Sequence, residues 1–93
     1  GNYLCKIMKA KIFIIDQKFS KALKLLETCE KIHCITELTY YEKAKIYIKL
    51  GNFKDAYEHF FELANRNYNI AEYHIMVMKC LIWQDENIAA NIY

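Results

Sequence analysis

The sequence predicts an all-α chain built from tandem helix-turn-helix units, and three observations carry that expectation. Apolar residues recur at spacings of three and four along nearly the whole length. The chain has no proline and only two glycines, and a pattern of small and aromatic residues returns after 34 positions. Ile and Tyr would also suit strands, so propensity leaves the class open and periodicity decides it.

The clearest unit covers residues 40–68. Tyr40, Tyr41, Ala44, Tyr47 and Ile48 fall on one helical face, which leaves Glu42 and Lys49 for solvent. Gly51 can take the left-handed conformation that ends this helix, Asn52 can cap the next, and Asp55 lies in the first turn that follows, where the helix dipole favours an acid. The second helix carries Phe53, Ala56, Phe60 and Leu63 on one face, and Ala44 with Ala56 lets the pair approach closely. In chain order the expected helices cover 3–15, 18–31, 37–50, 53–65 and 71–83, with a last one from Asn87 onward. Thr36 is the expected cap of the third helix, and Asn69, with Glu72 three residues later, that of the fifth.

Shifting the central unit back by 34 residues superposes Ala44 on Ala10, Lys45 on Lys11, Ile46 on Ile12, Ile48 on Ile14, Phe53 on Phe19 and Ala56 on Ala22. Shifting it forward superposes Lys45 on Lys79, Ile48 on Ile82 and Ala56 on Ala90, but Met78 replaces the alanine and Asn87 the phenylalanine. The chain therefore reads as one domain over 1–93, with repeats near 3–36, 37–70 and an incomplete 71–93. An incomplete repeat leaves apolar surface open, so the C-terminal edge around Trp83 and Tyr93 is a candidate interface, including for self-association.

Composition removes several function classes. A net charge of +2 and a pI near 8.3 are far from the basic footprint of a nucleic-acid binder, and Arg66 is the sole arginine. No apolar run approaches the ~20 residues of a membrane-spanning helix. No signal peptide opens the chain, which starts at Gly1 without a methionine and reads as a piece of a longer protein. Cys5, Cys29, Cys34 and Cys80 form no C-x-x-C pair and read as buried free thiols, pointing to the cytosol or nucleus. Cys29, His33 and Cys34 lack a second ligand pair at metal-binding spacing, so no metal or cofactor is expected. His59 and His74 sit among aromatics as packed histidines, and no phosphate loop, nucleophile motif or paired acids suggest an enzyme.

The central unit resembles the tetratricopeptide repeat, whose pattern is W-x2-L-G-x2-Y, then A-x3-F, then P. Tyr40 stands for the Trp, Ala44 for the small residue, Tyr47 for the Tyr, and Ala56 with Phe60 for the A-x3-F pair. Lys43 departs from the Leu and Tyr68 from the closing Pro. The resemblance implies a short right-handed superhelical solenoid acting as a protein-interaction scaffold, with the first helix of each pair lining a concave groove. Carried onto this chain, that groove holds a ladder of Lys11, Lys45 and Lys79, flanked by Ile7, Tyr41 and Ile75 on one side and by Ile14, Ile48 and Ile82 on the other. Such a ladder suits a partner segment mixing acidic and apolar side chains, although lysine is frequent enough here to recur at one exposed register without selection. The clamp by which some family members hold chaperone tails does not carry over, because its places hold Ile7, Lys11, Glu42, Glu72 and Met76. Two alternatives remain: a purely structural, self-associating segment, and an RNA reader of the pentatricopeptide type, which the 34-residue period and low arginine content disfavour.

Overall fold

The computed structural model describes residues 3–33 and 37–92, with side chains over 4–32 and 37–86. Five helices follow one another: α1 (Tyr3–Ile15), α2 (Phe19–His33), α3 (Glu37–Lys49), α4 (Phe53–Arg66) and α5 (Ala71–Ile92). Helices α1 and α2 form one hairpin, α3 and α4 a second, and α5 packs on α4. The envelope measures 49 × 31 × 18 Å. Eighteen ångströms is about two packed helices, so every helix keeps a face toward solvent.

The same turn closes both hairpins. Gly51 has φ 77° and Gln17, at the same repeat register, has φ 62°. In each turn the left-handed residue donates its N–H three residues back, to Ile14 or Ile48, and the next N–H reaches five residues back, to Phe13 or Tyr47. This pair of bonds satisfies two orphan carbonyls at the helix end. Asn52 then caps α4, its side-chain oxygen accepting the Asp55 N–H at 3.4 Å while its amide donates to the Asp55 carboxylate.

At the third copy this register is Asp85, and the helix runs on to Ile92. The expected break near 84–86 and the separate helix from Asn87 are therefore absent: α5 is continuous. Asn87 stands where Phe19 and Phe53 anchor the second helix of the other pairs, so the chain has no aromatic to draw it back onto itself. Two expected details also change. Ile70, not Asn69, flanks the start of α5, and Glu72 reaches across to Tyr41 and does not serve a cap. Thr36, Cys34 and Tyr93 lie outside the described residues, as do the side chains of His33, Asn87 and Ala90.

Packing is concentrated in two clusters. Ile7, Ala10, Ile14, Ala22, Leu26, Cys29 and Ile46 form the first, with Ala44, Ala56, Phe60, Leu63, Ala64, Tyr73 and Cys80 in the second. Ala10, Ala22, Ala44 and Ala56 have no exposed surface at all, as expected for helices in close approach. Ile46 belongs to the first cluster although it sits on α3, so it locks the two hairpins together. Cys29 and Cys80 are buried free thiols, burial pushing the Cys80 thiol up, whereas Cys5 is exposed, against expectation.

A charged pair also crosses the hairpin boundary. Lys43, at the position where the family pattern has Leu, is 7% exposed and places its ammonium 2.8 Å from Glu30 Oε1 on α2. The contact is close but lies off the hydrogen-bonding direction, leaving that oxygen without a formal bond. The ammonium also stands 5.2 Å from the centre of the Tyr40 ring.

A Cβ at Gly51 would meet nothing within 4 Å, so Gly51→Ala should lose roughly 1 kcal/mol through backbone strain alone, and Gln17→Gly should hold or raise stability. Urea titration followed by circular dichroism checks both. Lys43→Met should lose roughly 2–3 kcal/mol because Glu30 is left without its cation, and the double variant Lys43→Met/Glu30→Met should recover most of it. Equal losses in the single and double variants would show that an unpaired Glu30 carboxylate is not what destabilises Lys43→Met.

Candidate functional site

The face shared by α1, α3 and α5 carries a continuous polar network. Glu42 on α3 is 4% exposed, although its place on the helix suggested a solvated side chain. Lys11 from α1 approaches Glu42 Oε1 at 3.6 Å, and Lys45, one turn along α3, approaches Oε2 at 3.4 Å. A buried carboxylate is tolerable only beside cations, and these two lysines serve it while remaining half-exposed at their own side chains. Oε2 accepts no hydrogen bond; Lys45 balances its charge without donating along its lone pair. The Lys45 ammonium also lies 5.0 Å from the Tyr41 ring centre. Tyr41 in turn donates its hydroxyl to Glu72 of α5 at 2.7 Å.

A second tyrosine–glutamate pair runs in the opposite sense between the same helices. Tyr73 of α5 donates to Glu37 of α3 at 3.0 Å. Both hydroxyls resist ionisation. The Glu72 hydrogen bond, then burial, pushes Tyr41 up to about 12. Burial, then the Glu37 hydrogen bond, does the same for Tyr73. Tyr41 also meets Phe60 edge-on at 6.1 Å and tilts toward Tyr73 at 6.1 Å, so this junction is held by aromatic packing as well as by polar pairs.

Beside the network an open trough runs between α1 and α3. One part, of about 190 Å³, is lined by Lys11, Ile14, Ile15, Glu42 and Lys45. Its neighbour, of about 470 Å³, shares Ile14, Ile15 and Lys45 and adds Gln17, Phe19 and Lys49. The shape suits side chains laid along a surface more than a small molecule enclosed by one.

The three expected ladder positions are not equivalent in this setting. Lys11 and Lys45 share Glu42, whereas Lys79 is exposed on α5 and makes no ion pair among the described residues. The flanking registers change more. Ile7 and Ile14 lie in the first core cluster, Ile48 and Tyr41 are half-buried, and Ile75 and Ile82 are each 53% exposed. Ile7 and Ile14 pack in the first hairpin's core, with Ile14 also lining the trough, and Tyr41 reaches across to α5. The flanking registers are covered where a second helix folds back and bare on α5, where none does.

Trp83 tilts its ring against Phe53 at 5.7 Å and packs half-buried against the second cluster. Tyr57 tilts against Phe61 at 5.7 Å. His59 is held between Tyr40 and Tyr47 with Nδ1 2.8 Å from the Asp55 carbonyl, and His74 reaches the Tyr68 carbonyl at 2.9 Å.

Sequence reasoning missed Glu42 as a buried anion and Glu37 and Glu72 as tyrosine acceptors. The repeat gave no signal for the first: its register holds Met8 and Met76 in the neighbouring copies, and Met8 is 64% exposed. The described residues hold no cluster of His, Cys, Asp and Glu able to bind a metal ion, and no described helix is long and apolar enough to cross a membrane.

The tyrosine pairs set an alkaline limit on the fold. Their folded-state values lie above the ordinary value near 10, so the stabilisation is complete below about pH 10 and is lost as pH rises toward about 12. Spectrophotometric titration should show Tyr41 and Tyr73 among the late tyrosinates, with Tyr47, which burial also pushes up, and one late step should disappear in Tyr41→Phe. Tyr41 titrating with the exposed tyrosines would remove the Glu72 hydrogen bond from this account.

The profile of the family described as Iml2/Tetratricopeptide repeat protein 39 covers residues 2–88. No curated protein and no solved structure matches the chain. The 34-residue hairpin repeat, its paired turns and this nearly full-length match agree: the chain belongs to the Iml2/tetratricopeptide repeat protein 39 family.

Proposed function

We propose that the chain is a protein-interaction scaffold whose α1–α3–α5 face takes a segment of a partner protein within a larger assembly. A family of tetratricopeptide-like repeats suggests an interaction scaffold in general. The finer reading rests on one observation, the trough between α1 and α3 beside Lys11, Glu42 and Lys45. One buried carboxylate shared by two lysines leaves surplus positive charge at the trough's edge, and Ile15, 78% exposed, offers an apolar contact beside it. A segment that alternates an acidic and an apolar side chain satisfies both. Buried thiols at Cys29 and Cys80 suit a reducing compartment, the cytosol or nucleus, for this activity.

Photo-crosslinking places the contact. A photoreactive residue at Ile15 or Lys49 should trap the same partner from the source cell's lysate, and one at the outward Lys54 of α4 should not. Trapping only from Lys54 would move the interface to the convex side. Lys45→Gln should weaken the contact by roughly threefold to tenfold, the range expected when a partly exposed charge is removed from an interface.

A further inference from the structure

Internal repetition reveals what belongs against a face that this chain leaves open. On α3, Lys43 and Ile46 form the edge that meets the first hairpin, with Tyr47 beside them packed on His59 of its own hairpin. Ile46 is fully buried and Lys43 pairs with Glu30. Thirty-four residues earlier the same registers on α1 are Lys9, Ile12 and Phe13. There Ile12 is 57% exposed and Lys9 lies open to solvent. Together with α2 they border a cleft of about 340 Å³ lined by Lys9, Phe13, Lys21, Lys24, Leu25 and Thr28. Its floor is apolar, its rim holds three lysines, and no acid lines it. What α3 shows at this register is contact with a helix that carries glutamates beside apolar residues.

The chain presents such a surface elsewhere. Phe61 on α4 is 46% exposed, tilts against Tyr57, and lies between Glu58, which is exposed, and Glu62, which pairs with Arg66 at 2.8 Å and leaves Glu58 as the acid free to meet a cation. The buried residues of α4 (Ala56, Phe60, Leu63 and Ala64) occupy its other side, so this outer face is not needed for the core. Overall charge follows the same division. Residues 1–36 hold seven basic and three acidic side chains, net +4, whereas residues 37–93 hold six and eight, net −2.

We propose that the Lys9–Lys21–Lys24 cleft receives the Glu58–Phe61 face of α4 from a second copy of this chain. Phe61 meets Phe13 and Leu25 on the cleft floor, and Glu58 meets the lysine rim. Each copy carries both surfaces, so reciprocal exchange closes a two-fold dimer with two identical contacts. The surfaces lie apart from the α1–α3 trough, and dimerisation leaves the proposed partner site open.

Sedimentation equilibrium over a range of concentration and salt tests this with the chain alone. The mass should rise toward two copies with concentration and fall back with added salt. Lys21→Glu/Lys24→Glu should weaken association by about tenfold or more, as should Glu58→Lys. All three side chains are exposed, and circular dichroism confirms that each variant is folded. An equimolar mixture of the two variants restores opposite charges at both contacts and should associate again. A chain that stays monomeric throughout, an association indifferent to both variants, a mixture that fails to recover, or a cleft that captures a different protein while the chain remains monomeric would each overturn the proposal.

Discussion

Close approach of two helices through alanine is the constraint on which the rest depends. Ala10 and Ala22 are buried together in the core of the first hairpin, and Ala44 and Ala56 in that of the second, all four with no exposed surface. At that distance no larger side chain fits without strain, and the neighbouring registers are forced into fixed roles. Ile7 and Ile14 must fill the core on either side of the alanine, and Ile46 must lie on the side that meets the next hairpin. On α5 the register holds Met78, which is 60% exposed, and no second helix folds back. One substitution at the point of closest approach, joined by Asn87 where an aromatic anchor stands in the other copies, accompanies the change from a hairpin to a single long helix.

Charge is used inside this scaffold as well as on it. Lys43–Glu30 ties α3 to α2, Lys11–Glu42–Lys45 ties α3 to α1, and Tyr41–Glu72 with Tyr73–Glu37 ties α3 to α5. Helix α3 is therefore the hub, bound to each neighbouring unit by a different polar contact. Such contacts add little net stability compared with an apolar replacement, but a wrong register leaves a buried charge unpaired. Their consequence is definition: the relative placement of the units, and with it the width of the trough beside Lys11 and Lys45, is set by pairs that tolerate no slip. The interaction surface proposed across three helices would need that definition.

Much of the architecture was legible beforehand, because the features that determine it are local and repeat. Gly51, Asn52 and Asp55 sit where a left-handed turn, a cap and a first-turn acid are needed, and each does that work. Gln17 was less obvious, since a glutamine does not advertise φ 62°, but it occupies the Gly51 register and takes the same pair of backbone hydrogen bonds. The groove was less legible. Carrying the family's groove positions across put Ile7 on a surface, when the core of the first hairpin claims it, and Ile14 is shared between that core and the trough. Glu42 was assigned to water because a carboxylate usually prefers it, and only the approach of Lys11 from another helix makes burial affordable.

The amino-acid sequence by itself determined the helical class, the 34-residue period, the positions of the turns and the alanine contacts, because these rest on spacing and backbone conformation within about one helical turn. Tertiary structure alone decided which isoleucines enter a core and which face solvent, and that Trp83 packs against Phe53. It also decided that the lysines at positions 11 and 45 share one buried carboxylate. Those outcomes depend on which residues from distant parts of the chain arrive at the same place, and burial and Coulomb energy are functions of that arrangement and not of order along the chain.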